Sequence, residues 1–165
     1  MMRSPEPADD LQIQLRDVVE SDFPILFEHQ RDPVSARMAT FGTRDQTPDE
    51  FAARWTKSIA SGSTTTKVIV LGEQVVGFVA SFLREERLEV TYWIARSHWG
   101  RGIATAALSQ LLKSIATRPI YASAARDNLA SLRVLEKCGF TVRGVGKDFS
   151  NSRGEEVEEV FLDLR

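Results

Sequence analysis

Residues 93–105, with the sequence WIARSHWGRGIAT, are the most informative stretch of this chain. The first of them end an apolar run typical of a buried strand, and those after Gly102 begin an amphipathic helix. Gly100 and Gly102 permit backbone dihedrals that side chains forbid, and they let the main chain approach a ligand closely. The amides of such a turn and of the first helical turn point the same way and carry partial positive charge. The stretch therefore predicts an anion site suited to a pyrophosphate.

Two other phosphate-binding motifs do not match this turn. No Lys-Ser/Thr pair follows the glycines, which excludes the phosphate loop of an NTPase, and the full Gly-x-Gly-x-x-Gly dinucleotide fingerprint is missing. A strand-to-helix corner can also require glycine for its geometry alone. The turn by itself therefore leaves a purely structural role open.

A second block, residues 128–140 (NLASLRVLEKCGF), predicts a helix capped by Asn128 and ended by Gly139. The two blocks, in this order and about 25 residues apart, resemble the GNAT superfamily of acyl-CoA-dependent N-acetyltransferases. That family's acyl-CoA signature, Gln/Arg-x-x-Gly-x-Gly/Ala, falls on residues 99–104, with Trp99 at the first position. The variants Trp-Gly-x-Gly-x-Ala-Thr and Asn-x-x-Ser followed by Lys-Cys-Gly-Phe are similar to the ribosomal-protein N-terminal (Rim-type) branch. The resemblance covers residues 11–165.

This resemblance implies that acetyl-CoA is the cosubstrate and that its acetyl group passes directly to a primary amine in a ternary complex. The pantetheine arm is expected between the strand that ends near Ala95 and a strand at residues 119–124, and Cys138 is expected to be inert. The residues expected to contact acetyl-CoA are Trp93, Ile94, Trp99, Gly100, Arg101, Gly102, Ile103, Ala104, Thr105, Asn128 and Ser131.

Acetyl transfer to an amine requires that the attacking nitrogen be neutral. Deprotonation at pH 7 costs roughly 1.4 kcal/mol for an α-amine and roughly 4.6 kcal/mol for a lysine, so a positioned base is expected. Glu89, on the strand that leads into the turn, is the first candidate for this base. The alternative is that Glu89 only occupies the exposed side of an alternating strand. His98 and Tyr92 are weaker candidates.

The departing thiolate requires a proton or a hydrogen-bond donor. Many relatives use a tyrosine in the second block for this purpose, but this chain has only Tyr92 and Tyr121, and both lie outside it. Ser131 occupies the position that Rim-type relatives place near the thioester sulfur, so the resemblance makes it the expected donor. A serine in the first turn of a helix is otherwise a routine partial cap.

The composition is that of one ordinary globular unit. The 165 residues, 42% of them hydrophobic, are expected to form a single N-acetyltransferase domain over residues 11–165, preceded by a loose polar tail at residues 1–10. A formal charge of −2 provides no basic face for nucleic acid. A single cysteine fits a reducing cytoplasm, and no run approaches the ~18 apolar residues that cross a membrane. No metal, nucleic acid or membrane is expected as a partner, and the chain is expected to be a monomer or homodimer.

Periodicity and breaker residues predict the order β-α-α-β-β-β-α-β-α-β-β. This order is a mixed α/β fold with a curved, mostly antiparallel sheet flanked by helices, and it coincides with the GNAT fold. Ser21 and Thr47 are expected to cap the first and second helices, and the Asp32-Pro33 pair is expected to end the first. Strands are expected near residues 11–16, 64–71, 75–83, 87–95, 119–124, 140–149 and 157–164, and helices near residues 21–31, 47–61, 102–117 and 128–138.

The sequence specifies the binding site of the acceptor amine less clearly than the acetyl-CoA site. Phe23, Phe27, Phe41 and Trp55 lie in the region that walls the acceptor pocket in relatives, although aromatic residues are core residues by default. Residues 155–159 (EEVEE) either attract a cationic amine or form a solvated strand edge. The expected acceptor is a protein N-terminus or a small amine. The alternatives are a noncatalytic acyl-CoA-binding module and, less favoured, a nucleotide-phosphate enzyme.

Overall fold

The computed structural model describes residues 12–39 and 46–165, so the predicted tail, Leu11 and Phe41 lie outside the described residues. The described residues form a seven-stranded sheet with helices on both faces. The strands are β1 (Ile13–Asp17), β2 (Thr64–Leu71), β3 (Gln74–Arg84), β4 (Arg87–Ile94), β5 (Ile120–Ala125), β6 (Thr141–Ser150) and β7 (Glu155–Leu164), and the helices are α1 (Phe23–Arg31), α2 (Pro33–Ala39), α3 (Pro48–Ala60), α4 (Ile103–Lys113) and α5 (Leu129–Lys137).

The strands lie in the order β1-β2-β3-β4-β5-β7-β6, and their pairing is antiparallel except between β4 and β5. This parallel pair is joined at one register position, Glu89 opposite Tyr121. Beyond this position β4 continues to Ile94 and β5 continues to Ala125, and the two strands do not pair with each other again. The sheet therefore splits between the carboxyl ends of β4 and β5. The predicted mixed α/β fold with a mostly antiparallel sheet is confirmed.

Two apolar clusters hold the helices against the sheet. The larger one packs α4 and α5 against one face and includes Val90, Ile94 and Leu108. The smaller one packs the first three helices against the other face and includes Phe51 and Trp93. The alternation of Val90, Trp93 and Ile94 between the clusters follows the period of two in a strand. No helix within residues 12–39 and 46–165 is both long enough and apolar enough to cross a membrane.

The structure contains one helix more than the predicted order. Proline at position 33 ends α1, as expected, but it also begins α2, because proline at the first helical position loses no hydrogen bond. The Asp32 carboxylate accepts hydrogen bonds from the Ser35 amide at 3.0 Å and from the Ser35 hydroxyl at 2.8 Å, which caps the new helix. The element order is therefore β-α-α-α-β-β-β-α-β-α-β-β.

The predicted helix starts and ends differ in how well they match the structure. Thr47 caps α3 as expected, with its hydroxyl accepting from the Glu50 amide at 3.2 Å. Ser21, the expected cap of α1, lies instead in a 3-10 turn, because the neighbouring Asp22 carboxylate accepts from the Val19 amide and pairs with Arg16. The helix predicted at residues 102–117 ends at Lys113.

The turn between β3 and β4 is strained. Glu85 and Glu86 have φ angles of 51° and 64°, in the left-handed region that side chains disfavour. A two-residue hairpin with both residues left-handed is the geometry that Asn-Gly serves best.

Replacing Glu85 by Asn together with Glu86 by Gly should raise the free energy of unfolding by about 1 kcal/mol, because the pair relieves left-handed strain. Urea unfolding of the full chain measures this change. A Glu85→Ala/Glu86→Ala variant removes the same charges but keeps the strain, and it should show no gain. An unchanged or lower stability of the Asn-Gly variant would contradict the assignment of strain to this turn.

Candidate functional site

The edge of β4 beyond Glu89 carries main-chain donors that are not used in the sheet. The Ala95 amide donates to the Val76 carbonyl at 2.8 Å, so it points toward β3. Because successive residues of a strand point their N–H groups to opposite edges, the amides of Tyr92 and Ile94 point toward β5. β5 pairs with β4 only at Glu89, which leaves these two amides facing the split in the sheet. A linear ligand that contains amides matches such an edge.

The corner after β4 is closed by a tryptophan. The Trp99 indole N–H donates to the Ile94 carbonyl at 2.9 Å, although 43% of the residue remains exposed. This hydrogen bond holds the residues that follow Trp99 next to the end of β4. The side chain at the first position of the glycine motif therefore fixes the turn in place.

The turn itself has the geometry of an anion cradle. Gly100 and Gly102 have φ angles of +75° and +77°, and no atom lies within 4 Å of the position that a Cβ of Gly100 would occupy. The helical ladder of α4 starts with the Ala106 amide, which donates to the Gly102 carbonyl at 3.1 Å. The amides of residues 103–105 consequently have no acceptor inside the helix, and Gly102 provides no side-chain cap. The turn fits a phosphate group, since main-chain donors converge where a side chain would otherwise fill the space.

One arginine adds charge to this turn. Nη1 of Arg101 lies 3.0 Å from Nδ1 of His98, and both side chains border solvent. Because a guanidinium can only donate, His98 Nδ1 is the acceptor in this contact. This contact ties the Arg101 side chain to the 3-10 turn that precedes the glycines.

Three of the residues predicted to contact acetyl-CoA point their side chains into the core. Trp93 is 4% exposed, Ile94 is 8% exposed and Ile103 is 1% exposed, with Trp93 in the smaller cluster and the other two in the larger. Only the main chain of these residues is available to a ligand. Ala104 and Thr105 are half-buried at the start of α4.

A tyrosine reaches across the split in the sheet to the second sequence block. The Tyr92 hydroxyl lies 2.6 Å from the Ser131 hydroxyl and donates to the Ser131 carbonyl at 3.1 Å. Burial raises the pKa of Tyr92 to about 12, so the phenol is neutral at physiological pH. The second block, residues 128–140, contains no tyrosine, but the structure brings one there from β4. The period of two along β4, which points Tyr92 to the same face as α5, is the signal that could have found it.

Asn128 uses both ends of its amide group. Its Oδ1 accepts from the Ser131 amide at 3.2 Å, which confirms the predicted cap, and its Nδ2 donates to the Met38 carbonyl at 3.1 Å. The neighbouring Arg153 donates to the Arg37 carbonyl at 2.7 Å and binds the Asp127 carboxylate through two nitrogens. The end of α2 is therefore fastened to the residues that precede α5.

Glu89 lies on the face of the sheet opposite Ser131. It stands across from Phe82 of β3, and its side chain is 13% exposed. Arg84 holds the carboxylate at both oxygens, at 2.6 Å from Nε and 2.8 Å from Nη2. The two predicted catalytic residues do not touch each other; they flank the split between β4 and β5 from its two sides.

Cys138 and the acidic run show no catalytic arrangement among the described residues. Burial raises the pKa of the Cys138 thiol, and its Sγ donates to the Thr105 carbonyl at 3.7 Å, so the thiol stays protonated at neutral pH. The run at residues 155–159 lies on β7, where Glu158 pairs with Arg126 at 2.8 Å. Phe23, Phe27 and Trp55 are core residues of the smaller cluster.

Comparison with known proteins places this geometry in a family. A model of the acetyltransferase (GNAT) domain matches residues 12–141. An uncharacterized N-acetyltransferase, p20, from Bacillus licheniformis is 27% identical over 82 residues, which are 47% of this chain and 46% of that protein. The chain thus matches about half the length of this curated relative.

Solved structures share the fold at low sequence identity. The ribosomal-protein-alanine N-acetyltransferase from Brucella melitensis has a TM-score of 0.78 at 20% identity, covering 92% of this chain and 98% of that one. The spermidine N-acetyltransferase from Vibrio cholerae, solved with CoA and spermine, has a TM-score of 0.77 at 22% identity, covering 92% of this chain and 95% of that one. Two further matched structures were solved with acetyl-CoA.

Replacing Gly102 by Val should abolish measurable binding of CoA, because the side chain both opposes the φ of +77° and fills the approach to the amides. Calorimetric titration of CoA into the folded variant measures the loss. Gly72→Val is the matched control, since Gly72 has a φ of +64° and open space around its Cβ position but lies in the β2–β3 turn. Near-native affinity of folded Gly102→Val would mean that the phosphate site lies elsewhere.

Proposed function

The chain belongs to the GNAT acetyltransferase family, and we propose that it transfers the acetyl group of acetyl-CoA directly to a primary amine. The acceptor is a small amine or a protein N-terminus, bound together with acetyl-CoA in a ternary complex. The observation that carries the proposal is the row of unpaired main-chain N–H groups from the edge of β4 to the first turn of α4. Acetyl-CoA supplies the activated acetyl group, and the chain supplies binding, orientation and proton transfer.

The binding roles follow from the chemistry of the donors. The amides of residues 103–105 and the Arg101 guanidinium suit the pyrophosphate, because they offer several hydrogen bonds and one positive charge to an anion. The amides of Tyr92 and Ile94 suit the carbonyl groups of the pantetheine arm. Asn128, at the start of α5, suits the same arm through the free lone pair of its Oδ1.

Glu89 is the proposed base for the acceptor nitrogen. Its two oxygens offer about four acceptor positions, of which Arg84 uses two, so the carboxylate can still accept from an amine or from a bridging water. In the transfer, nitrogen forms a bond to the acetyl carbon, the carbon–sulfur bond breaks, and the proton lost by nitrogen passes to Glu89. Arg84 acts as a positioning residue that fixes the carboxylate on the acceptor side of the split.

Ser131 and Tyr92 are proposed to stabilise the departing thiolate by hydrogen bonding. When the phenol donates to the Ser131 carbonyl, the serine proton points to the phenol; when the phenol donates to the Ser131 hydroxyl, the serine proton is free for the sulfur. Complete transfer of the Tyr92 proton to the thiolate is unfavourable. A thiol has a pKa of about 8.5, so taking the proton from Tyr92 would cost about 5 kcal/mol. The pair therefore donates hydrogen bonds, and solvent supplies the proton.

Release of free thiol from acetyl-CoA in the presence of a panel of amines and N-terminal peptides tests the proposed activity. Glu89→Gln should lower kcat/KM about 10²- to 10⁴-fold at neutral pH, since the amine then loses its base. The deficit should shrink as the pH rises toward the pKa of the amine, while the affinity for CoA stays unchanged.

Glu86→Gln serves as the control for Glu89→Gln, because it removes one negative charge from the exposed turn of the same hairpin. It should behave like the native chain. Tight acetyl-CoA binding without thiol release for any amine, unaltered by Glu89→Gln, would contradict the proposal and indicate the noncatalytic acyl-CoA-binding module instead.

Ser131→Ala should lower kcat about 10- to 100-fold without changing CoA affinity, because one hydrogen bond to a charged sulfur is lost. Steady-state kinetics and calorimetry separate the two effects. Tyr92→Phe should have a smaller effect, and none when added to Ser131→Ala, since the phenol acts through the serine hydroxyl. Ser131→Thr keeps the hydroxyl and should retain activity. An unaltered kcat for Ser131→Ala would refute this role.

A further inference from the structure

A cleft of about 340 Å³ lies between α3 and the face of the sheet that carries Glu89. Phe82, which stands opposite Glu89, and Thr91, two residues further along the same face of β4, both line it. Thr91 is thus roughly 7 Å from Glu89 along the strand. The volume is near the lower end of the range for small-molecule sites, roughly 300–1,000 Å³.

A buried amide without a partner borders this cleft. Gln30, in the last turn of α1, is 2% exposed, and its Nε2 has no hydrogen-bond partner among the described residues. A buried donor is rarely left unpaired in a folded protein, because water no longer satisfies it. Because Nε2 is itself buried, an acceptor group in the cleft reaches this donor when the Gln30 side chain turns toward the cleft.

The cleft also holds a positive charge that no carboxylate balances. Arg54, on α3, lines the cleft with its guanidinium carbon 5.6 Å from the centre of the Phe51 ring. Arg84, Arg126 and Arg153 each bind a carboxylate, whereas within the described part of the chain Arg54 forms no ion pair. Burial lowers the pKa of Arg54 from its ordinary value, but the group remains charged.

The other residues that line the cleft favour an acceptor with a carboxylate over a polyamine. The described lining residues contain no acidic side chain; they provide hydroxyls, such as those of Ser58 and Thr66, and apolar groups, such as Trp55 and Phe78. A polyamine would meet the Arg54 charge and find no carboxylate on the cleft wall. A carboxylate, in contrast, matches the fork of a guanidinium and accepts from the Gln30 amide.

We infer that this cleft is the acceptor subsite and that the acceptor is a small amine carrying a carboxylate, held by Arg54 and Gln30 with its nitrogen toward Glu89. The inference rests on the proposed acetyl transfer and narrows the acceptor to one chemical class. Spermidine-like polyamines and peptide N-termini are then poor acceptors.

Calorimetric titration of the full chain in the presence of CoA tests the cleft without turnover. The probes are L-phenylalanine, 5-aminopentanoate, L-phenylalaninamide, phenethylamine, spermidine and an alanine-initiated tetrapeptide. The two carboxylated amines should bind about 10- to 100-fold more tightly than the amide or phenethylamine, which lack the charge that Arg54 recognises. Equal or tighter binding of the amide, spermidine or the peptide would overturn the inference.

Two variants on α3 distinguish recognition of the carboxylate by Arg54 from the effect of losing any positive charge on this helix. Arg54→Gln should weaken binding of the carboxylated amines about 10- to 100-fold and leave the amide unaffected. Lys57→Gln removes one positive charge from the same helix, outside the cleft lining, and should change neither. Because each variant is compared with the native chain for the same amine, differences in amine basicity cancel. Unchanged carboxylate binding by Arg54→Gln would overturn the inference.

Gln30→Leu tests independently whether the Gln30 amide binds the acceptor or only stabilises the core. The variant should keep or raise Tm, because it removes an unpaired buried amide, while it weakens binding of the carboxylated amines. A lowered Tm with unchanged binding would assign Gln30 to the core and count against the subsite.

Thiol release with the same probes separates failure of the inference from failure of the proposed function. Turnover of spermidine or the peptide in preference to the carboxylated amines overturns the inference and leaves acetyl transfer standing. Thiol release with none of the probes overturns acetyl transfer to these classes, and the calorimetric comparison then still decides which amines the cleft binds.

Discussion

The split between β4 and β5 frees a main-chain edge inside the sheet for a ligand. The two strands share one register position, Glu89 with Tyr121, and then part. A continuous sheet would have paired the amides of Tyr92 and Ile94, and no linear ligand could then have used them. The Trp99 indole fixes the corner at the end of β4, so the unpaired edge leads directly to the unpaired amides of α4. A single line of main-chain donors results.

The residues with proposed chemical roles lie on both faces of the sheet. Tyr92 and Ser131 lie on the face covered by α4 and α5, where a leaving sulfur would be stabilised, and Glu89 lies on the opposite face with the Arg54 cleft. The period of two along β4 produces this division, because neighbouring residues of one strand point to opposite faces. In the proposed mechanism, one strand thus contributes to acid–base chemistry, to hydrogen bonding of the thiolate and to main-chain binding.

Local patterns in the sequence predicted the strands, the Thr47 and Asn128 caps and the glycine turn, because each depends on residues near one another in the chain. The helix at Pro33 was missed because proline both ends one helix and begins the next, and local propensity does not choose between these roles. The Tyr92–Ser131 contact joins residues 39 positions apart. The ion pair between Arg84 and Glu89 forms only when β3 and β4 pair as a hairpin. Such contacts follow from packing rather than from local sequence.

Amide chemical-shift mapping of the isotope-labelled chain during titration with CoA shows where the cofactor contacts the main chain. The largest shifts should occur at the amides of Tyr92 and Ile94 and at residues 100–105, where the structure leaves main-chain donors without partners. Saturating CoA that leaves these amides unmoved, while shifts cluster on another part of the molecule, would mean that acetyl-CoA does not bind along the split.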